Sequence, residues 1–231
     1  MSNDEFAQHI SGQFNSELEE VRSHLLAMGG MVEKQVEDAV SSLVNADSVL
    51  ALEVLTTEKK INRMELAIDE ECTRVIALRQ PAASDLRLLV VTTKANIDLE
   101  RMGDEASKIA KMAIKLSEDG VLPKGYIEVR HIGVHVCAML HDALDAFARF
   151  DANLAVQVVH EDKSVDMEYE SAMRQLVTFM MEDPRYITRV LNVLWSLRAL
   201  ERIGDHARNI AEHVIYLVKG RDVRHQSLDT L

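Results

Sequence analysis

A 12-residue segment occurs twice in this chain, and the duplication limits the available folds more than any other feature. Leu99–Ala110 reads Leu-Glu-Arg-Met-Gly-Asp-Glu-Ala-Ser-Lys-Ile-Ala, and Leu200–Ala211 reads Leu-Glu-Arg-Ile-Gly-Asp-His-Ala-Arg-Asn-Ile-Ala; eight of the 12 positions are identical at an offset of 101. Upstream the match continues at an offset of 104, pairing Asp38 with Asp142, Asp47 with Asp151, Leu50 with Leu154 and Val54 with Val158. Pro81 and Pro184 lie between these stretches at an offset of 103, so the copies differ by a few residues in a connection, where length changes are tolerated. A 231-residue chain built this way is two copies of one structural unit, expected to divide as 1–120 and 121–231.

Each unit reads as helical. Alanine, leucine, glutamate and methionine are strong helix formers, and only three prolines and nine glycines interrupt 231 residues. Alternating β-branched runs are few, which argues against a sheet. Ile187, Val190, Leu191, Leu194, Leu197, Ile203, Ile210, Val214 and Leu217 recur every three or four residues, as one helical face requires. Asp47 and Asp151 are natural N-caps. Pro81 and Pro184 suit the first turn of a helix but not its interior. Pro123, with Gly120 and Gly125, marks the linker between the copies. The expected helices are roughly 4–45, 48–79, 82–118, 124–150, 152–182 and 185–219. Gly29-Gly30 is a candidate kink in the first, and the polar tail after Gly220 is expected to fray. Short connections between long helices imply antiparallel neighbours. The expected fold is therefore all-α: two tandem three-helix bundles related by internal pseudo-symmetry.

The formal charge of −12 opposes binding to a phosphate backbone, so DNA and RNA are not expected partners. Two cysteines, Cys72 and Cys137, are too few for a disulfide framework or a thiolate metal site, and read as buried reduced thiols of a cytoplasmic protein. Met1–Glu5 lacks the basic and apolar regions of a signal peptide. No apolar run approaches the roughly 20 residues that span a bilayer, leaving only peripheral membrane association.

The repeated segment carries chemistry as well as symmetry. Glu100 and Asp104 are four residues apart, as are Glu201 and Asp205, which puts each pair on one helix face. Like charges so placed are destabilising unless a cation sits between them. The mid-helix Gly103 and Gly204 each cost on the order of 1 kcal/mol against alanine, and close approach by a helix or ligand is the usual compensation. A second helix of each copy adds further acids: Asp162 and Asp166 in the second half, Glu58 and the amide Asn62 in the first. Carboxylates on facing helices of a bundle are a standard oxygen-ligand metal site, suited to Mg²⁺, Ca²⁺, Mn²⁺ or iron. Without metal, desolvation and mutual repulsion are expected to raise their pKa values. A solvated acidic face, with Arg101 and Arg202 as counter-charges, is the alternative.

Other motifs are weaker. Glu128 and His131 fit a Glu-x-x-His pattern with His135 one turn on, but no second copy accompanies them, and they read as surface histidines. His160-Glu161 lacks the second histidine of a zinc-protease helix. His206 is a candidate supporting group beside Asp205, although Glu105 occupies the matching position. The methionines read as core filler or a partner groove. No phosphate-cradling glycine loop, nucleophile elbow or Cys/His pair is present, so no catalytic apparatus assembles. A di-iron-like metalloenzyme and a metal-free scaffold stand as alternatives to a metal-bearing adaptor.

Taken with His9–Phe14, Met28–Glu33, Ala67–Glu70, Arg79–Arg87, Leu140–Asp142 and Leu144–Arg149, the two Glu-Arg-x-Gly-Asp segments make the chain resemble the PhoU family of bacterial phosphate-signalling regulators along nearly its whole length. The resemblance implies two symmetric three-helix bundles whose Glu/Asp-x-x-x-Asp motifs hold metal (Mg, Mn, Fe or Zn). Those motifs fall on Glu100 and Asp104, Glu201 and Asp205, and Asp162 and Asp166; Glu58 keeps the first-half position while Asn62 departs from the pattern. It further implies a non-enzymatic negative regulator of the phosphate regulon that links the high-affinity phosphate ABC transporter to the sensor kinase PhoR, which controls PhoB, with PhoR and the transporter ATPase PstB as partners. A homodimer is the expected assembly.

Overall fold

The computed structural model describes residues 12–119 and 127–223. Six long helices account for nearly all of them: α1 (Gly12–Asn45), α2 (Ser48–Arg79), α3 (Ala83–Asp119), α4 (Ile127–Arg149), α5 (Ala152–Glu182) and α6 (Ile187–Lys219). A 3₁₀ turn, Pro184–Tyr186, precedes α6. The expected linker at Gly120, Pro123 and Gly125, and residues 4–11 of the first expected helix, lie outside the described residues. Among the described residues no helix is long and apolar enough to cross a membrane.

The duplication extends to backbone detail. Asp47 and Asp151 cap α2 and α5 with nearly superimposable dihedrals, φ −92°, ψ 96° and φ −91°, ψ 96°. Each Oδ1 accepts from the backbone N–H groups two and three residues on, at 2.9–3.1 Å. The preceding residues, Ala46 and Phe150, both take left-handed conformations (φ 53° and 54°) that close α1 and α4. Asp47 and Asp151 then return their own N–H to Ser42 and Ala146 carbonyls, each at 2.9 Å, satisfying groups the helix ends would leave open.

Within the first copy α1 and α2 run antiparallel, fastened by Arg79 to Glu17 at 2.7 Å near one end and His24 to Glu71 at 2.8 Å. Each copy is a three-helix unit, and α3 and α6 pack along each other between the copies. Buried residues of both halves form one continuous apolar core. The α1–α4 contact shows the pseudo-twofold directly. A Cβ on Gly29 would lie 2.5 Å from Leu144 Cδ2, and one on Gly133 would lie 2.8 Å from Val40 Cγ1. Gly29 and Gly133 are repeat partners, as are Val40 and Leu144, all at the offset of 104.

Several expectations need correction. Gly29-Gly30 does not divide α1, which is continuous from Gly12 to Asn45; the absent side chain at Gly29 admits Leu144. Ile187 and Leu191 are exposed, so the core face of α6 is Val190, Val193, Leu197, Leu200 and Ile203 onward. Val223, in the segment expected to fray, is buried against the core. The cysteines also differ: Cys72 is buried, but Cys137 is half-buried, in a groove of about 530 Å³ between α1 and α4. Burial pushes the Cys72 thiol up to about 11; burial and then Glu37 and Glu33 push Cys137 up to about 12. Both are protonated and poorly nucleophilic at neutral pH.

Candidate metal centre

The second-half acids gather between α5 and α6. Asp162 is buried, Glu201 is half-buried and Asp166 and Asp205 lie at the exposed edge. They share one electrostatic neighbourhood. Burial raises the Glu201 carboxyl, and Asp205, Asp166 and Asp162 raise it further against the opposing pull of Arg198. Asp205 is raised by burial and then by Asp166. Asp162 is raised by burial, Asp166 and Asp205 in spite of its bond from Arg208. Four acids that disfavour one another's ionisation are held together at a cost.

Arginines meet part of that cost, though not the expected ones. Arg198 Nη1 donates to Glu201 Oε1 at 2.7 Å, and Arg208 Nη1 donates to Asp162 Oδ2 at 2.9 Å. Arg202, the motif's own arginine, instead reaches across the repeats to Glu105 at 3.1 Å. Glu201 Oε2 is buried with no hydrogen-bond partner.

The first-half acids lie between α2 and α3. Burial raises the Glu100 carboxyl, followed by Asp104 and Glu65; Arg101 opposes them, and Glu58 adds a smaller contribution. Glu65 was not expected. It sits one turn beyond Asn62 on α2, and its repeat position is Tyr169. Asn62 Oδ1 is buried without a hydrogen-bond partner. The first cluster therefore offers four carboxylates and an orphaned amide oxygen, and no described residue forms an ion pair with Glu58, Glu65, Glu100 or Asp104.

The donor set is all hard oxygen, and the orphaned Glu201 Oε2 and Asn62 Oδ1 are the kind of buried atom that a cation satisfies. In that sense the residues fit a hard cation. As the helices stand, no group of three or more His, Cys, Asp or Glu side chains among the described residues is arranged to hold a metal ion. Binding requires the carboxylates to draw inward, and in the second cluster Arg198 and Arg208 to let go.

The motif glycines differ from each other. A Cβ on Gly103 would lie 3.1 Å from Gln35 Oε1, itself buried and unbonded, while one on Gly204 would meet nothing closer than Val165 Cγ1 at 3.6 Å. Close approach accounts for Gly103 but not for Gly204. Gly204→Ala is expected to stabilise the protein by up to about 1 kcal/mol through helix propensity, and Gly103→Ala by less or not at all. Urea unfolding of the two variants measures this.

His206 does not join the acids. It turns to the opposite repeat, where its Nδ1–H donates to Asp98 Oδ1 at 2.8 Å; Asn209 Nδ2 donates to the same oxygen at 3.1 Å, and His213 Nε2 lies 3.3 Å from Asp98 Oδ2. Asp98, His206 and His213 are each about nine-tenths buried. Burial alone would raise the Asp98 carboxyl, but hydrogen bonds from His206, His213 and Asn209 outweigh it and hold the group at about 2. This polar knot ties α3 to α6.

Two separate stretches, 25–113 and 129–214, match the PhoU domain, one in each repeat. The chain belongs to the PhoU family. It is 64% identical to the phosphate-specific transport system accessory protein PhoU homolog of Pseudomonas aeruginosa, over 99% of this chain and 94% of that protein. The Escherichia coli accessory protein PhoU is 50% identical, over 97% of this chain and 92% of its own length. The crystal structure of PhoU from P. aeruginosa superposes with a TM-score of 0.89 at 66% identity, covering 90% of this chain and all of that one. The regulatory protein PhoU of Streptococcus pneumoniae superposes at 0.84 with 30% identity, covering 91% of this chain and 99% of that one. The six-helix, two-repeat architecture is thus that of the PhoU fold.

Proposed function

We propose that this protein is a non-enzymatic accessory regulator of a phosphate-specific transport system, and that the acids of its two repeats hold divalent cations. The observation that carries the regulatory reading is the identity of 64% over 99% of the chain to an accessory protein of that system. PhoR and PstB are the proposed partners, with restraint of uptake and of the phosphate regulon when phosphate is plentiful. Deleting the gene in its own host tests this. Alkaline phosphatase is expected to become constitutive in high phosphate, and sustained repression would refute the role.

The cation reading rests on the crowded carboxylates, the orphaned Glu201 Oε2 and Asn62 Oδ1, and the all-oxygen donor set. Bound cations would neutralise two acidic faces of a protein whose formal charge is −12. Glu58, Glu65, Glu100 and Asp104 would hold one site, and Asp162, Asp166, Glu201 and Asp205 the other. A second reading takes Arg198 and Arg208 as permanent counter-ions of the α5–α6 acids, favoured by their bonds at 2.7 and 2.9 Å. Elemental analysis of protein purified without chelator separates the two: metal lost in Glu201→Gln/Asp205→Asn supports the first, and metal-free wild type the second.

A further inference from the structure

A second set of metal-binding side chains lies on the other side of α5, where it faces α4. His131 and His135 are four residues apart on α4, the spacing that puts two imidazoles on one helix face for a shared ion. Glu168 of α5 reaches both: its Oε1 is 3.2 Å from His135 Nδ1 and its Oε2 is 3.3 Å from His131 Nδ1. The other ring nitrogen of His135, Nε2, lies 3.2 Å from Glu161 Oε2.

A neutral imidazole carries one N–H, so it can donate to only one of two carboxylates. His135 has a carboxylate oxygen at each nitrogen; a doubly protonated ring would serve both, whereas a neutral ring leaves one nitrogen lone pair and its facing carboxylate open to a cation. Glu168 Oε2 is buried with no hydrogen bond, despite its nearness to His131, and Glu128 Oε2, one turn before His131, is likewise buried and unbonded. Zinc–nitrogen and zinc–oxygen bonds of about 2.0–2.1 Å at tetrahedral angles separate neighbouring donors by roughly 3.3 Å. The N···O separations to Glu168 already have that length.

We infer that His131, His135 and Glu168 form a site for a zinc-class divalent ion, with Glu161 holding the His135 ring by its second N–H. That arrangement is the carboxylate–histidine–metal relay that fixes tautomer and ring direction. The donors are not yet closed on one point, and closure needs a turn of His131, whose side chain is 72% exposed. Mixed nitrogen and oxygen donors select zinc-like ions, unlike the oxygen-only acids of the repeats. The site is private to the second copy: the positions matching His131, His135, Glu161 and Glu168 are Ala27, Met31, Thr57 and Met64. A bound ion would pin α4 to α5 beside the acids on the opposite face of α5, leaving a fourth position for water or Glu128.

Zinc titration of the full-length protein by calorimetry, with magnesium present in excess, tests the proposal. His131→Ala, a change at an exposed position, is expected to weaken one zinc equivalent at least 10-fold. His131→Ala/His135→Ala is expected to abolish that equivalent, while Glu201→Gln/Asp205→Asn leaves it in place. With cobalt as the probe, the wild type is expected to show the visible absorption of a nitrogen-bound tetrahedral ion, lost in the histidine variants. Unchanged zinc affinity in folded His131→Ala, or zinc binding lost only in the acid variant, would overturn the site.

Discussion

Asp98→Ala is expected to destabilise the protein by about 3 kcal/mol, the low end of what breaking a buried charged network costs. The substitution leaves the His206, His213 and Asn209 donors facing an apolar methyl in the interior between α3 and α6. For a chain of 231 residues, 3 kcal/mol corresponds to a fall in Tm of about 6–12 °C. Asp98→Asn keeps one acceptor oxygen and is expected to recover part of the loss. The same knot predicts behaviour in acid. Asp98 is held at about 2 in the folded protein against an ordinary value of 3.8, so its contribution is complete above pH 4 and is lost as pH falls towards 2. That difference amounts to about 2 kcal/mol. Urea unfolding at pH 7, 4 and 2.5 should show the wild type converging on Asp98→Ala only at the lowest pH.

The acid clusters run in the opposite direction. Glu100, Asp162, Glu201 and Asp205 are all raised, chiefly by burial and then by their neighbours. A carboxyl whose folded pKa lies above its unfolded value penalises the native state when ionised. Metal-free protein is therefore expected to grow more stable as pH falls from 7 towards the ordinary carboxylate range of about 4, before the loss at Asp98 takes over. A divalent cation relieves the same repulsion at neutral pH. At 100 times its Kd it adds about 2.7 kcal/mol, a rise in Tm of about 5–10 °C, and the rise shrinks towards pH 4 as protons compete. Glu100→Gln/Asp104→Asn should stabilise the metal-free protein and remove part of the cation effect. Thermal scans with Mn²⁺ and with chelator, at pH 7 and pH 5, measure both. A metal-free protein that weakens steadily from pH 7 to 5 would contradict the electrostatic reading.

Much of this was legible in one sequence, because duplication prints the fold twice. The Asp47 and Asp151 caps, Pro81 and Pro184 and the paired glycines each occur at the repeat offset, and helix ends are set by local chemistry that sequence carries. The exposed Ile187 and Leu191 share the apolar period of α6, and periodicity alone does not say which apolar residue meets the core. The candidate site was legible where both copies kept their acids. Glu65 escaped because its partner is Tyr169, so symmetry could not flag it. Arg202 was the wrong counter-ion for a geometric reason: adjacent residues on a helix point about 100° apart, whereas Arg198, three positions before Glu201, lies on its face. The Asp98 knot breaks the repeat at each of its four members, since Asp98 aligns with Ala199, His206 with Glu105, Asn209 with Lys108 and His213 with Met112. Its partners are more than 100 residues distant in the chain, beyond the reach of any helical period.

Anomalous diffraction from crystals grown with Mn²⁺, recorded at the manganese edge, tests the central claim most directly. The expected result is a peak among Glu58, Glu65, Glu100 and Asp104 and a second among Asp162, Asp166, Glu201 and Asp205, with Arg198 and Arg208 moved off their carboxylates. Crystals with no anomalous peak at either cluster, and with both arginines still in place, would contradict it.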